Sequence, residues 1–346
     1  LYLDGWTGAF DIMQLWFGVP NGWGVAEDDS FAKYNIKKGD LVPAQLTEEY
    51  KVALRKFREW YAAGYINQDF REVGGGQAIN SADVGLRAQQ GGIGIQVLDG
   101  LRKVETYLEG QGFVEANAPV DEALFTLSSY VDTGLGGFCR PQNNGMNGFI
   151  AISKVGNIKT EDQLKDALYV LDQLSEGWYY DLFTWGWVGE ETKENQQATY
   201  YIGSDGYANK FDGNPEGELT AAQAWGVEYD GKYSNGFNQV ITFNYAEGHE
   251  PTVPTAPASN PTQVLEQQLY ADDVQYLVNN QSTGCVSDKY TQDGKSLDSM
   301  IEEARLSFIT DAGYTETNLE AAIQQWLDAG MEQVINEINE QYHSIH

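Results

Sequence analysis

Residues 147–177 read NGFIAISKVGNIKTEDQLKDALYVLDQLSEG. The apolar run Phe149-Ile150-Ala151-Ile152 has the look of a buried strand. Thr160 and Gln163, three residues apart, form a capping box that opens a helix. Leu164, Leu168, Leu171 and Leu174 then fall on one stripe, which Gly177 closes. A strand followed by a capped helix is a unit of an α/β fold, and the same alternation continues outward. Upstream, Gly92–Val97 reads as a buried strand ending at Asp99-Gly100, with a helix over 101–109. Thr47 caps an earlier helix that carries Leu54, Phe57 and Tyr61 on one face and ends at Gly64. A short helix through Asp11–Phe17 leads into a Pro20-Asn21-Gly22 turn, and 26–46 reads as a polar loop. Downstream, a short helix over 178–184 precedes the Trp185-Gly186-Trp187 loop. Pro251, Pro254, Pro257 and Pro261 mark an extended connector. The end is helical over 262–280, 297–310 and 318–342, with Thr317 and Glu320 as a capping box and Gly330 placed to break or bend the last helix.

The 346 residues are 42% hydrophobic, ample for a sizeable core in one or two domains. The 51 acidic residues against 21 basic ones give a net charge of −30. A nucleic-acid binder needs the opposite field to displace counterions from phosphate, so nucleic acid and anionic membranes are poor partners. An acidic surface of this kind keeps a protein dispersed. Nine Trp, 21 Tyr and 14 Phe are more aromatics than such a core hides, and rings at a surface or cleft suit the C–H faces of sugars.

Two cysteines, Cys139 and Cys285, exclude a disulfide scaffold but leave one bridge open. Three histidines and no Cys-x-x-Cys argue against a zinc site, and no metal or cofactor is expected. Asp212-Gly213-Asn214-Pro215-Glu216-Gly217 imitates the first half of a calcium loop. Its twelfth position is Gln223 rather than a bidentate Glu, so a polar turn is the better reading. No serine elbow, phosphate loop or His-pair metal motif occurs. No run approaches the roughly 20 apolar residues of a membrane span.

Four stretches in this order resemble the extracellular solute-binding proteins (family 1, lipoprotein type) of bacterial carbohydrate ABC importers. They are FGVPNGWGV (17–25), TEEYKVALRKFREWYAAGYINQDF (47–70), NGFIAISK (147–154) with LSEGWYYDLFTWGWVGEE (174–191), and LEAAIQQWLDAGMEQVINEINEQY (319–342). The family's Gly-x-Glu-Gly appears here as Trp187-Val188-Gly189-Glu190-Glu191, a departure from the family pattern. The resemblance implies a type II, two-lobe α/β fold with hinge crossovers. Residues 1–138 would be the first part of the second lobe, 139–205 the returning part of the first, and 206–346 the remainder of the second with the C-terminal helices. The family pattern also has a signal peptide, a lipid-anchored cysteine and more of the first lobe. None precedes Leu1, so the first lobe is expected to be incomplete at its N-terminus. The implied protein is a cell-surface, lipid-anchored monomer. It would take a sugar or oligosaccharide in an interlobe cleft and deliver it to the importer's membrane subunits.

Such a cleft needs stacking rings and directional polar groups at strand and loop ends. Trp16 and Trp23 flank the first turn, Asp99 follows a strand, and Arg140, Asn144 and Asn147 occupy the Gly-rich hinge segment. Trp185 and Trp187 share a short loop. Each has a competing structural role: core packing for the tryptophans, a helix N-cap for Asp99, turn geometry for the asparagines. The rival function is a secreted glycoside hydrolase with paired carboxylates, although among 51 acidic residues such pairs arise on paper without meaning. A surface adhesin, the other alternative, would show repeats or a sorting tail, and neither is present.

Overall fold

The computed structural model describes residues 8–71, 93, 105, 107–112, 131, 133–137, 152–153, 156, 158–190, 197–211, 225, 247–257 and 261–346. The chain divides into two compact units, Leu1–Gly148 with Ser259–His346, and Phe149–Ala258. The fold is mixed α/β, with a two-stranded sheet in the first unit and a three-stranded one in the second among the described residues.

In the first unit, α1 (Gly8–Met13) runs through a 3₁₀ turn into the Pro20-Asn21-Gly22 bend. Strand β1 (Trp23–Val25) pairs antiparallel with β2 (Leu41–Pro43), Trp23 opposite Pro43 and Val25 opposite Leu41. The segment read as a polar loop is thus a small hairpin; three-residue strands are too short to show a period in sequence. Thr47 caps α2 (Glu48–Ala62) through the Tyr50 N–H, as expected, and Gly64 lies just beyond its end with φ 75°. Leu54 and Phe57 of α2 are buried, and Phe57 meets Phe10 at 5.2 Å between ring centres.

The C-terminal part of this unit is helical: α5 (Pro261–Asp273), α6 (Asp288–Thr310), α7 (Glu316–Trp326) and α8 (Glu332–Ile345). Helix α6 packs against α2 and α7 and contributes Leu297, Ile301, Phe308 and Ile309 to the core. It starts nine residues before the sequence suggested. Ser287 supplies the N-cap, and Gly294, an apparent breaker, lies against the Tyr290 ring. The capping box of α7 is Thr315 with Asn318, not Thr317 with Glu320. Thr317 is already inside the first turn, and the Asn318 carboxamide accepts the Thr315 N–H in the role usually given to Glu or Gln. Gly330 does interrupt the last helix. Residues Leu327–Met331 form a π turn in which Gly330 has φ 135°, a conformation that disfavours any side chain.

A buried cation ties the ends of this unit together. The Arg305 side chain is 7% exposed and pairs with Asp11 at 2.5 Å and with Glu302. Burial opposes its charge, yet these carboxylates and Tyr50 hold the guanidinium firmly protonated. Helix α8 contributes a second tie. Asn339, 9% exposed, accepts the Leu41 N–H at 2.6 Å and donates to the Leu41 carbonyl at 3.0 Å.

In the second unit, α3 (Glu161–Gln173) opens with the Thr160–Gln163 capping box read from the sequence. Its leucine stripe is core only at its C-terminal end: Leu164 is 37% and Leu168 50% exposed, Leu171 is half-buried, and Leu174, just past the helix, is buried. Gly177 does not close α3 but begins α4 (Gly177–Trp185). A Cβ there would lie 2.2 Å from the Glu250 carbonyl carbon, so the glycine admits the 249–251 backbone. Strand β3 (Val188–Gly189) pairs parallel with β4 (Tyr200–Ile202), which pairs antiparallel with β5 (Ala208–Lys210). The strand read at Gly92–Val97 lies outside the described residues apart from Ile93, and that at Phe149–Ile152 apart from Ile152.

Truncating Asn339 to Ala strands a buried backbone N–H and carbonyl at Leu41, costing roughly 2–3 kcal/mol. Urea unfolding of the Asn339→Ala protein should show that loss, whereas Gln341→Ala, with more exposed bonds, should lose under about 1 kcal/mol.

Candidate ligand-binding site

The first unit contains a cleft of about 420 Å³, within the range of small-molecule sites. Hairpin β1–β2 supplies Trp23 and Pro43, the turn before α6 supplies Asn280 and Ser282, α6 supplies Tyr290 and Asp298, and the π turn and its flanks supply Trp326 and Met331. Each wall is held by the backbone. The Trp23 carbonyl accepts the Gln281 N–H at 3.1 Å, and Asn21 donates to the Val278 carbonyl at 3.0 Å. Gly22 is required where it stands, because a Cβ would fall 2.8 Å from the Asn280 Nδ2. Asn280 folds its own turn by accepting from the N–H and hydroxyl of Ser282.

The polar groups are arranged for hydrogen bonding. The Tyr290 hydroxyl donates to Asp298 at 2.7 Å. Partial burial and this carboxylate push the phenol up to about 12, so it remains a protonated donor across the physiological range. Trp326 is 3% exposed, and its indole N–H has no hydrogen-bond partner among the described residues. A buried donor left unmade costs roughly 1–3 kcal/mol. Cys285 also lines the cleft as a free thiol, its pKa raised by burial; Cys139 lies outside the described residues.

Of the residues singled out by sequence, Trp23 is in this cleft. Trp16 is half-buried against the core, and its carbonyl accepts the Thr133 hydroxyl. Asp99, Arg140, Asn144, Asn147 and the Asp212 loop lie outside the described residues. Tyr290, Asp298, Asn280 and Trp326 escaped the sequence reading. They come from three separate places, the turn before α6, α6 itself and the end of α7, and only the π turn at Gly330 hinted that the chain deviates there.

Trp185 and Trp187 belong to the second unit. Thr199 builds their loop: its hydroxyl accepts the Trp187 N–H at 2.7 Å and donates to the Trp185 carbonyl. Gly186 (φ 77°) leaves the room, since a Cβ would lie 2.1 Å from that hydroxyl oxygen. Trp185 tilts against Tyr200 at 5.8 Å, while Trp187 stands 57% exposed. Beneath them Asp181, mostly buried, accepts the N–H groups of Thr252 and Val253 and so anchors the proline-rich connector.

No family model matches the chain. Two curated proteins of Bacillus subtilis (strain 168) do match it, each over 97% of its length. Lipoprotein LipO is 25% identical over 337 residues, 57% of that protein. Polygalacturonan/rhamnogalacturonan-binding protein YtcQ is 20% identical over 336 residues, 56% of that protein. The resemblance read from the sequence holds. The chain spans little more than half the length of these relatives. Among the described residues no helix is long and apolar enough to cross a membrane.

His249 gives this part of the structure a pH dependence. Its ring nitrogen lies 2.6 Å from Glu176, and that hydrogen bond and charge raise its pKa. A raised folded-state pKa contributes stability that is complete below the unfolded value of about 6.5 and lost as pH rises through the folded value. Nuclear magnetic resonance titration should place the His249 midpoint above 6.5. Glu176→Gln should bring it down and flatten the corresponding fall in stability as the pH rises above about 6.5.

Proposed function

We propose that the chain is the ligand-recognising part of an extracellular solute-binding protein that captures a sugar or oligosaccharide for an ABC importer. The observation that carries this reading is the cleft of the first unit, where the Trp23 and Tyr290 rings share a surface with amides, hydroxyls and one carboxylate, over a floor that includes the buried Trp326. Rings stack on the C–H faces of pyranoses, and the surrounding polar groups meet their hydroxyls. The name of one relative, a binder of polygalacturonan and rhamnogalacturonan, supports carbohydrate as the ligand class. The name of the other, a lipoprotein, supports anchorage at the outer face of the cell membrane.

The proposal includes the two-lobe architecture implied by the resemblance, with closure on ligand as the signal read by the importer's membrane subunits. Residues 1–138 and 206–346 would then belong to one lobe and 139–205 to the other. The exposed Trp187 and its partner Trp185 would offer a second ring surface. The protein would act by binding, without a chemical step.

Titration calorimetry against plant-polysaccharide oligosaccharides should find saturable binding and a raised melting temperature, about 2.7 kcal/mol of stabilisation at a hundred-fold excess over Kd. No reducing ends should appear. Release of reducing sugar by the purified chain would establish the hydrolase instead.

A further inference from the structure

Resting on the carbohydrate-binding reading, we infer that the cleft of the first unit selects uncharged sugars and rejects uronates. The decisive feature is the chemistry of its walls. Trp23 and Tyr290 are the rings, Asn280 and Gln45 the amides, and Asp298 a carboxylate, while the buried Trp326 forms part of the floor. No Lys, Arg or His lines it among the described residues. A sugar carboxylate entering the cleft would shed water without gaining a cation, which is strongly unfavourable. Proteins that hold carboxylates do so with Arg or Lys, and none is offered here.

The basic side chain next in sequence to the cleft is otherwise engaged. Lys289 precedes Tyr290, but its ammonium group is 2.6 Å from Asp293, and its aliphatic stem lies against Gly330. Asp298 adds direct repulsion toward an incoming anion, while its bond from Tyr290 leaves it able to accept from a sugar hydroxyl as well. The charge of −30 over the chain works in the same direction at longer range, weakened by salt beyond about 8 Å. For a neutral ring the same walls are favourable: the Trp23 and Tyr290 rings, with amide and hydroxyl partners beside them. This preference separates the cleft from a site built for polygalacturonan, every residue of which carries a carboxylate.

The test compares ligands that differ only in charge. Digalacturonate, its dimethyl ester and the neutral disaccharide galactobiose are titrated into the chain by calorimetry, beside disaccharides of glucan, xylan and mannan. The expected result is that neutral sugars bind and that the ester binds at least ten-fold more tightly than the free acid. Asp298→Asn should narrow that ratio several-fold, and Tyr290→Phe, which keeps the ring and removes the hydroxyl, should weaken the neutral ligands. Free acid binding as tightly as its ester, or more so, overturns the inference and leaves carbohydrate binding intact. A ratio unmoved by Asp298→Asn in a folded protein also overturns it, by removing the cleft as the site. If no acid, ester or neutral sugar binds, the carbohydrate reading itself falls.

Discussion

The first unit depends on hydrogen-bonding side chains spaced two apart along its closing helix. Asn339 clamps the Leu41 backbone in both directions. Gln341 does the same at Val286, accepting its N–H at 2.8 Å and donating to its carbonyl. Between them in reach, Glu337 accepts the Ser287 hydroxyl and the Lys289 N–H at the start of α6. Leu41 belongs to the hairpin that carries Trp23, and Val286 to the turn that leads to Tyr290. One helix therefore fixes both walls of the cleft through their backbones. The apolar stripe of the same helix, Val334, Ile335 and Ile338, anchors it in the core.

The division of labour explains why a polar cleft persists in a small unit. The buried Arg305 pairs and the Phe10, Phe57 and Phe70 cluster hold the helices together on one side. Arg58 closes the other, donating to the carbonyls of Asp311, Ala312 and Tyr314 across the turn between α6 and α7. Arg305 and Arg58 are thus spent on structure rather than left for ligand. In a chain with 51 acids and 21 bases, that economy leaves the cleft acidic.

Helix positions were legible where a local signal set them. Thr47 and Thr160 each act on the N–H three residues on, Gly330 acts through its own backbone angle, and each does what its place in the sequence implied. Signals that depend on distant chain were misread. Gly177 looked like a helix stop because its reason, the passing backbone at Glu250, lies seventy residues on. The α3 leucines have the period of a core face, yet Leu164 and Leu168 are exposed and burial begins only toward Leu174. Trp23 was found because a ring beside a Pro-Asn-Gly turn is conspicuous. Tyr290, Asp298 and Trp326 were not, since only the packing of α6 against α7 and the π turn brings them together. The family resemblance rested on four ordered stretches, and such order survives where identity has fallen to 20–25%.

The central claim is that a neutral sugar is held in the Trp23–Trp326 cleft. Fluorine resonance spectra of the protein with 5-fluorotryptophan at its nine Trp positions, assigned by single Trp→Phe replacements, test it most directly. Addition of a neutral disaccharide shown by calorimetry to bind should shift the Trp23 and Trp326 signals in a saturable way. Saturable binding with both signals unmoved would contradict the account.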